Sequence, residues 1–206
     1  MPVMPGLLLL AIAALLTTQG DQSPPLVQGT AGAQGAALTL EIRAFNGAEE
    51  VTPHTRLTVH RAGDRHESIP HTRSGDGRTA LQVPAGIYDV QAIHEREGRV
   101  LNIRWANRLV VMAYPDEAGH HLEVINFKNG YGALQVRGKE GARFEVTLFQ
   151  AGKRDKPFAS PLVTTSYTLF IVPAGLYDLQ VRAQGKTTWM SGLEVPLDRT
   201  RLSIIE

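Results

Sequence analysis

A nine-residue phrase that occurs twice constrains this chain more than any other feature of the sequence. Residues 83–91 read VPAGIYDVQ and residues 172–180 read VPAGLYDLQ, so seven of the nine positions are identical. The two copies are 89 residues apart. A phrase repeated at a domain-sized distance predicts two copies of one fold.

The alignment between the copies extends well beyond the phrase. From residue 57 to residue 91 the two copies align at the same spacing, without insertion or deletion. Farther along, Trp105 matches Trp189 at a spacing of 84, so the second copy is five residues shorter there. Duplicated β domains diverge in this way because loops tolerate changes of length. We therefore predict a first repeat at residues 37–127 and a second repeat at residues 128–206.

Alternating apolar and polar residues dominate both repeats, as in LTLEIR at residues 38–43. Such alternation is typical of strands with one buried face, and no long stretch keeps the 3.6-residue period of a helix. Turn residues separate the strands, which number about seven in each repeat, as in immunoglobulin-like sandwiches. The sequence therefore predicts an all-β protein of two tandem immunoglobulin-like β-sandwiches.

The repeated phrase has the chemistry of a corner between two strands. Pro84 lacks an amide hydrogen and cannot lie inside a central strand, whereas Gly86 permits backbone angles that other residues avoid. A tyrosine that follows such a corner and bonds back to the backbone is the tyrosine corner of Greek-key sandwiches. We expect Tyr88 and Tyr177 to play this structural part. The alternative is that these tyrosines contact a ligand.

The order of strands and the Pro-Ala-Gly-x-Tyr-Asp corner resemble the transthyretin-like sandwiches. This group includes the carboxypeptidase regulatory-like domain and the B-type repeats of bacterial surface adhesins. The matching segments are residues 57–59 and 79–89, with their partners in the second repeat. The resemblance implies a non-catalytic domain that spaces, binds or stabilises a larger assembly.

The N-terminus has the features of an export signal. Residues 6–16 read GLLLLAIAALL, an apolar run that suits a signal-peptide core and is too short to span a bilayer. Small residues follow, and no lysine or arginine precedes the run. We predict a signal peptide at residues 1–20, a flexible linker at residues 21–36, and a secreted or periplasmic protein. A buried helix or a misassigned start codon is the alternative.

The composition excludes several function classes. The chain has no cysteine, so disulfides, thiolate nucleophiles and Cys-based metal sites are ruled out. A formal charge of +1 argues against a nucleic-acid partner. Phosphate-binding loops, nucleophile elbows and dinucleotide fingerprints are missing, and the acidic residues are scattered, mostly in turns. We therefore predict no enzymatic activity and no cofactor.

All seven histidines fall in the first repeat, which raises the alternative of a periplasmic metal-binding domain. Against it, His120 and His121 are neighbours in a predicted strand and would point to opposite faces. No metal-ligand spacing accompanies the histidines. Surface or strand-lining histidines are favoured, and no metal ligand is assigned.

Trp105 and Trp189 occupy equivalent positions, where packing is the first interpretation. If exposed, they and Tyr114 are the candidate binding residues, which makes a carbohydrate-binding module the other alternative. Our main prediction is a non-catalytic structural or binding accessory at the cell envelope or outside the cell, with a protein or glycan partner and no transmembrane segment in the mature chain. Function is expected where the copies differ, chiefly in residues 66–78, around residue 98 and in residues 114–119.

Overall fold

The structure is a computed structural model that describes residues 37–73, 78–112, 119–139 and 141–205. The predicted signal peptide and linker, and the candidate residue Tyr114, lie outside the described residues.

The described part of the first repeat contains eight strands and one short 3-10 turn at Thr52–His54. The strands are β1 (Leu38–Asn46), β2 (Glu49–Glu50), β3 (Thr55–Arg61), β4 (Thr72–Arg73), β5 (Thr79–Val83), β6 (Gly86–Arg96), β7 (Arg99–Val111) and β8 (His120–Asn126). In the described residues of the second repeat seven strands follow. They are β9 (Tyr131–Arg137), β10 (Phe144–Gln150), β11 (Leu162–Thr164), β12 (Tyr167–Pro173), β13 (Gly175–Ala183), β14 (Lys186–Val195) and β15 (Thr200–Ile204). The all-β prediction is confirmed. No helix within the described ranges is long and apolar enough to cross a membrane.

Each repeat contributes two sheets that enclose a core. In the first repeat, β5 and β8 flank β1 in one sheet, and β6 lies between β3 and β7 in the other. In the second, β9 lies between β12 and β15, and the other sheet has the order β11-β10-β13-β14. Every second residue of the central strands is buried, as in β1, where Leu38, Leu40 and Ile42 alternate with half-buried polar residues. The alternation recognised in the sequence therefore marks the core-facing side.

The first and last strands of each repeat lie side by side. β8 pairs with β1 in parallel, and β15 pairs with β9 in parallel, whereas the other pairings are antiparallel. The sequence did not predict these parallel pairs, because periodicity assigns a strand to a face and not to a neighbour.

Both repeated phrases form tyrosine corners, so this prediction is confirmed. The Tyr88 hydroxyl donates to the Pro84 carbonyl at 2.6 Å, and the Tyr177 hydroxyl donates to the Pro173 carbonyl at 2.7 Å. Both rings are buried in the core of their own repeat. The hydroxyls fix the turn that leads into β6 and β13.

The sheet that contains β1 and β8 packs against the sheet that contains β9. A small apolar cluster joins them, made of Phe45, Val124 and Ala133 with Leu169 and Ile171 beside them. The described part of the two repeats is therefore a stack of four sheets, with the β3-β6-β7 sheet at one end and the β11-β10-β13-β14 sheet at the other.

Polar side chains complete this junction. His120 Nε2 donates to Glu41 at 3.0 Å, and His120 Nδ1 accepts from Arg137 Nη2 at 3.4 Å. The hydrogen bond from His120 lowers the pKa of the Glu41 carboxyl, although partial burial opposes the shift. The contacts tie the first repeat to the second at the level of β8 and β9.

Candidate functional site

The outer faces of the two end sheets carry the same row of side chains. Tyr88, Val90 and Ala92 of β6 point into the core, so their neighbours in the strand point outward. Directly paired residues share a face, and in both repeats the central outward row is threonine, glutamine and tryptophan. The rows are Thr58, Gln91 and Trp105 in the first repeat, and Thr147, Gln180 and Trp189 in the second.

An aspartate of the repeated phrase holds a bulge beside each row. Asp89 Oδ1 accepts from the backbone N–H of Arg108 at 2.8 Å, at the point where the β6–β7 register shifts. Arg108 has a φ of 54°, which is unusual for a residue with a side chain. Asp178 accepts in the same way from the N–H of Gly192 at 3.0 Å, and Gly192 also has a positive φ, of 66°. The phrase therefore fixes both a corner and a bulge.

An arginine completes each cluster. Arg65 Nε donates to Asp89 Oδ2 at 3.4 Å, and its guanidinium lies 4.1 Å from the centre of the Trp105 ring. In the second repeat, Arg154 Nε donates to Asp178 Oδ2 at 2.8 Å, and its guanidinium lies 4.4 Å from the centre of the Trp189 ring.

The pKa values of the two aspartates follow from these contacts. The backbone N–H of Arg108 lowers the pKa of Asp89, with a further contribution from Arg65. For Asp178, the hydrogen bond from Arg154 is the largest cause of a lowered pKa, followed by the N–H of Gly192. Both carboxylates are ionised and accept hydrogen bonds from backbone N–H groups and arginines of their own repeat. This arrangement suits a structural role and not acid–base chemistry.

The structure does not bring Trp105 and Trp189 together, and Tyr114 lies outside the described residues. Trp105 and Trp189 lie on different sheets, at opposite ends of the stack. Both are half-buried, and an arginine covers a face of each ring. A sugar that stacked on that face would have to displace the guanidinium. The carbohydrate-binding alternative therefore stays a prediction.

A cleft of about 360 Å³ borders Trp105 on its side toward the second repeat. Strands β7 and β8 and residues 197–199 line it. Arg104 donates to Asp198 at 2.5 Å, and Arg199 donates to the Asn107 carbonyl at 2.9 Å. Both arginines thus bind within the chain and hold the second repeat against β7.

The histidines do not form a metal site in the part of the chain that the structure describes. No group of three or more histidine, aspartate or glutamate side chains there is arranged to hold an ion. Several histidines instead have partners within the fold: His60 with the Glu67 carbonyl, His94 with the Phe127 ring, His120 with Glu41, and His121 with Glu123.

Strand β7 carries an exposed row of apolar side chains that the sequence did not reveal. Val100, Ile103, Trp105 and Val110 share the outward face, because each pairs with an outward residue of β6. We call these four residues the apolar stripe. Val100 and Ile103 are each 54% exposed and Val110 is 48% exposed. Leu101, at an irregular point of the pairing, is exposed beside them.

The second repeat provides an internal comparison, because two of the three equivalent positions there are polar and only Trp189 repeats an apolar residue of the stripe. Thr187 occupies the position of Ile103, and Glu194 occupies that of Val110. Ile93, the β6 residue that pairs with Ile103, corresponds to Arg182 of β13. The fold therefore accepts polar residues at these positions, and packing does not require the apolar ones. The stripe begins at Val100, next to the hairpin turn near residue 98, which is one of the regions where the sequence indicated function.

No protein-family model matches the sequence, and no curated protein matches it at a significant level. Among solved structures, the Bacillus anthracis TIE protein is similar with a TM-score of 0.30 and 17% identity, over 83% of this chain and 34% of that one. A DUF3823 family protein from Parabacteroides merdae has a TM-score of 0.28 and 10% identity, over 79% of this chain and 100% of its own. A streptococcal ancillary pilin has a TM-score of 0.25 and 13% identity, over 84% and 63%. The similar structures also include a second DUF3823 family protein and the C-terminal fragment of a pilus adhesin from Lactobacillus rhamnosus.

Proposed function

We propose that this chain is an exported, non-catalytic binding accessory that docks a protein partner at the cell envelope or outside the cell. Its two repeats would be tandem sandwiches of the transthyretin-like kind, joined through β8 and β9. The apolar stripe carries the proposal, which does not depend on the names of the similar structures, whose TM-scores are 0.30 or lower.

The stripe supports docking because the free energy of the complex falls when a partner removes exposed apolar side chains from water. Contiguous exposed apolar patches on soluble proteins commonly mark interaction sites. Burial contributes about 25 cal/mol for each Å² of apolar surface, so several half-exposed aliphatic side chains can contribute a few kcal/mol. The polar residues at the equivalent positions of the second repeat, Thr187 and Glu194, make that face unsuited to the same partner.

A non-catalytic function is supported by the hydrogen bonds of the ionisable groups, which lie within the fold. The aspartates with lowered pKa values are hydrogen-bonded to the backbone and to arginines of their own repeat. Export is supported by the apolar run at residues 6–16.

The test is site-specific photo-crosslinking in the cells that make the protein. A photoreactive residue replaces Leu101, beside the stripe, or Thr187 on the equivalent face of the second repeat as the matched control. We expect an adduct with an envelope or extracellular protein from position 101 only. The double variant Ile103→Thr/Val110→Glu should abolish that adduct without changing the melting temperature. Equal adducts from both positions, or an adduct that survives the double variant, would contradict the proposal.

A further inference from the structure

The β3-β6-β7 sheet ends at β7, which pairs with β6 alone among the described strands. An edge strand presents backbone N–H and C=O groups that another strand can pair with. Near residue 107 the second repeat already covers this edge, because Arg199 donates to the Asn107 carbonyl and Arg104 bonds Asp198. No such cover is found within the described residues over residues 99–103, where β7 continues to the hairpin tip.

The side chains of β7 indicate the charge of a strand that would pair there. Arg99, Arg104 and Arg108 are its ionisable residues, and the strand has no acidic residue. Arg104 is paired with Asp198, whereas Arg99 and Arg108 are exposed. Between them lie Val100, Leu101 and Ile103, each more than half exposed. The edge is therefore both basic and apolar.

These charges disfavour a second copy of the same strand. Two copies of residues 99–103 in parallel register would place Arg99 opposite Arg99, and like charges opposite each other destabilise a strand pair. An antiparallel pair would bring two basic strands together with no acidic residue between them. An acidic strand with apolar residues on alternate positions would instead place carboxylates near Arg99 and aliphatic side chains against Ile103. We propose that an extended, acidic segment of a partner protein adds to the sheet as a strand beside β7, over residues 99–103. This inference rests on the proposed function and names the class of its partner.

Strand addition and simple apolar docking differ in their use of the backbone. In strand addition, the bound segment exchanges N–H···O=C bonds with β7, and its side chains supply specificity. In apolar docking, the backbone of the partner makes no such bonds. Methylation of amide nitrogens in a peptide removes its donors and leaves the side chains in place.

The experiment measures binding of a labelled peptide that alternates glutamate and valine to the full chain, by fluorescence anisotropy. Three comparisons accompany it: a lysine–valine peptide, the glutamate–valine peptide with alternate amides methylated, and the Arg99→Glu and Ile103→Thr variants of the protein. Sedimentation of the protein alone reports self-association.

We expect the acidic peptide to bind and the lysine peptide not to bind. Methylation should weaken binding at least about tenfold, because two or three backbone hydrogen bonds are lost. Arg99→Glu should weaken it by about threefold or more, in line with a single exposed charge pair. Slowed hydrogen exchange of the amides at residues 99–103 should accompany binding.

Several outcomes would overturn strand addition. If the methylated peptide binds as well as the parent, the stripe docks side chains only, and the proposed function stands without this inference. Equal binding of the acidic and basic peptides would refute the charge argument. If the protein alone sediments as a dimer and Arg99→Glu changes the stability of that dimer, the occupant of the edge is a second copy of the chain. If the acidic peptide shows no detectable binding, the inference is also rejected. Absence of any crosslink from position 101 in the otherwise wild-type protein would instead reject the proposed function.

Discussion

Replacing Asp89 with asparagine tests whether the carboxylate of the repeated phrase holds the β7 bulge. The side chain is 7% exposed, and each of its oxygens accepts a hydrogen bond, one from Arg108 N–H and one from Arg65. Asparagine has the same shape but only one acceptor oxygen, so one donor is left without a partner. A hydrogen bond to a charged group contributes about 1.5–3 kcal/mol, whereas the long contact to half-exposed Arg65 contributes little. The asparagine oxygen can still accept from Arg108 N–H, but as a neutral group, so we expect Asp89→Asn to lower the free energy of unfolding by about 1 kcal/mol.

The assay is urea unfolding of the wild type, Asp89→Asn and the matched control Asp64→Asn. The control alters an exposed aspartate in an isolated β-bridge, where one carboxylate oxygen accepts from the His66 N–H and asparagine can do the same. The pH dependence adds a second criterion. Because the pKa of Asp89 is lowered on folding, its contribution is fully present above the ordinary value of 3.8 and is lost as the pH falls through the folded pKa. The stability difference between wild type and Asp89→Asn should therefore shrink below about pH 4. A variant as stable as Asp64→Asn at pH 7 would refute the reasoning.

Two further changes test the backbone. Arg108→Gly should raise the free energy of unfolding by up to about 1 kcal/mol, because glycine removes the cost of a positive φ and Gly192 already occupies the equivalent site; a urea titration that showed a loss would argue against strain at the bulge. Gly132→Ala should lower stability by about 1–3 kcal/mol, since a Cβ there would lie 2.0 Å from the Pro196 carbonyl oxygen. Gly175→Ala is its control, with the nearest atom 3.9 Å from the added Cβ, and equal melting temperatures for the two variants would count against the close approach.

The core and the corners were predictable because they depend on local chemistry. Alternation identified the strands, and the fixed spacing of the repeated phrase located both tyrosine corners. The scatter of acidic residues along the sequence hides Asp89, although Asp178 and the matching pair Arg65 and Arg154 lie at the same spacing. The shared spacing of 89 residues was the signal in the sequence that could have identified the aspartate–arginine pairs.

The apolar stripe could not be predicted from periodicity. Irregular pairing occurs near Leu101 and near Arg108, and each extra residue reverses which side chains point outward. Ile103 and Val110 therefore share a face although an even-odd count along the strand would separate them. Neither bulge has a glycine or proline in β7 to mark it.

The parallel pairing of the first and last strands has a consequence for the kinetics of folding. Thr39 pairs with His120 and Ala133 pairs with Thr200, so closing either sheet joins residues from opposite ends of a repeat. Such distant contacts must be formed against the entropy of a long loop, which slows folding. Until β8 is synthesised, β1 has an edge that other chains can pair with, and the same holds for β9 until β15 emerges. Each repeat is therefore expected to be most prone to aggregation just before its last strand leaves the ribosome.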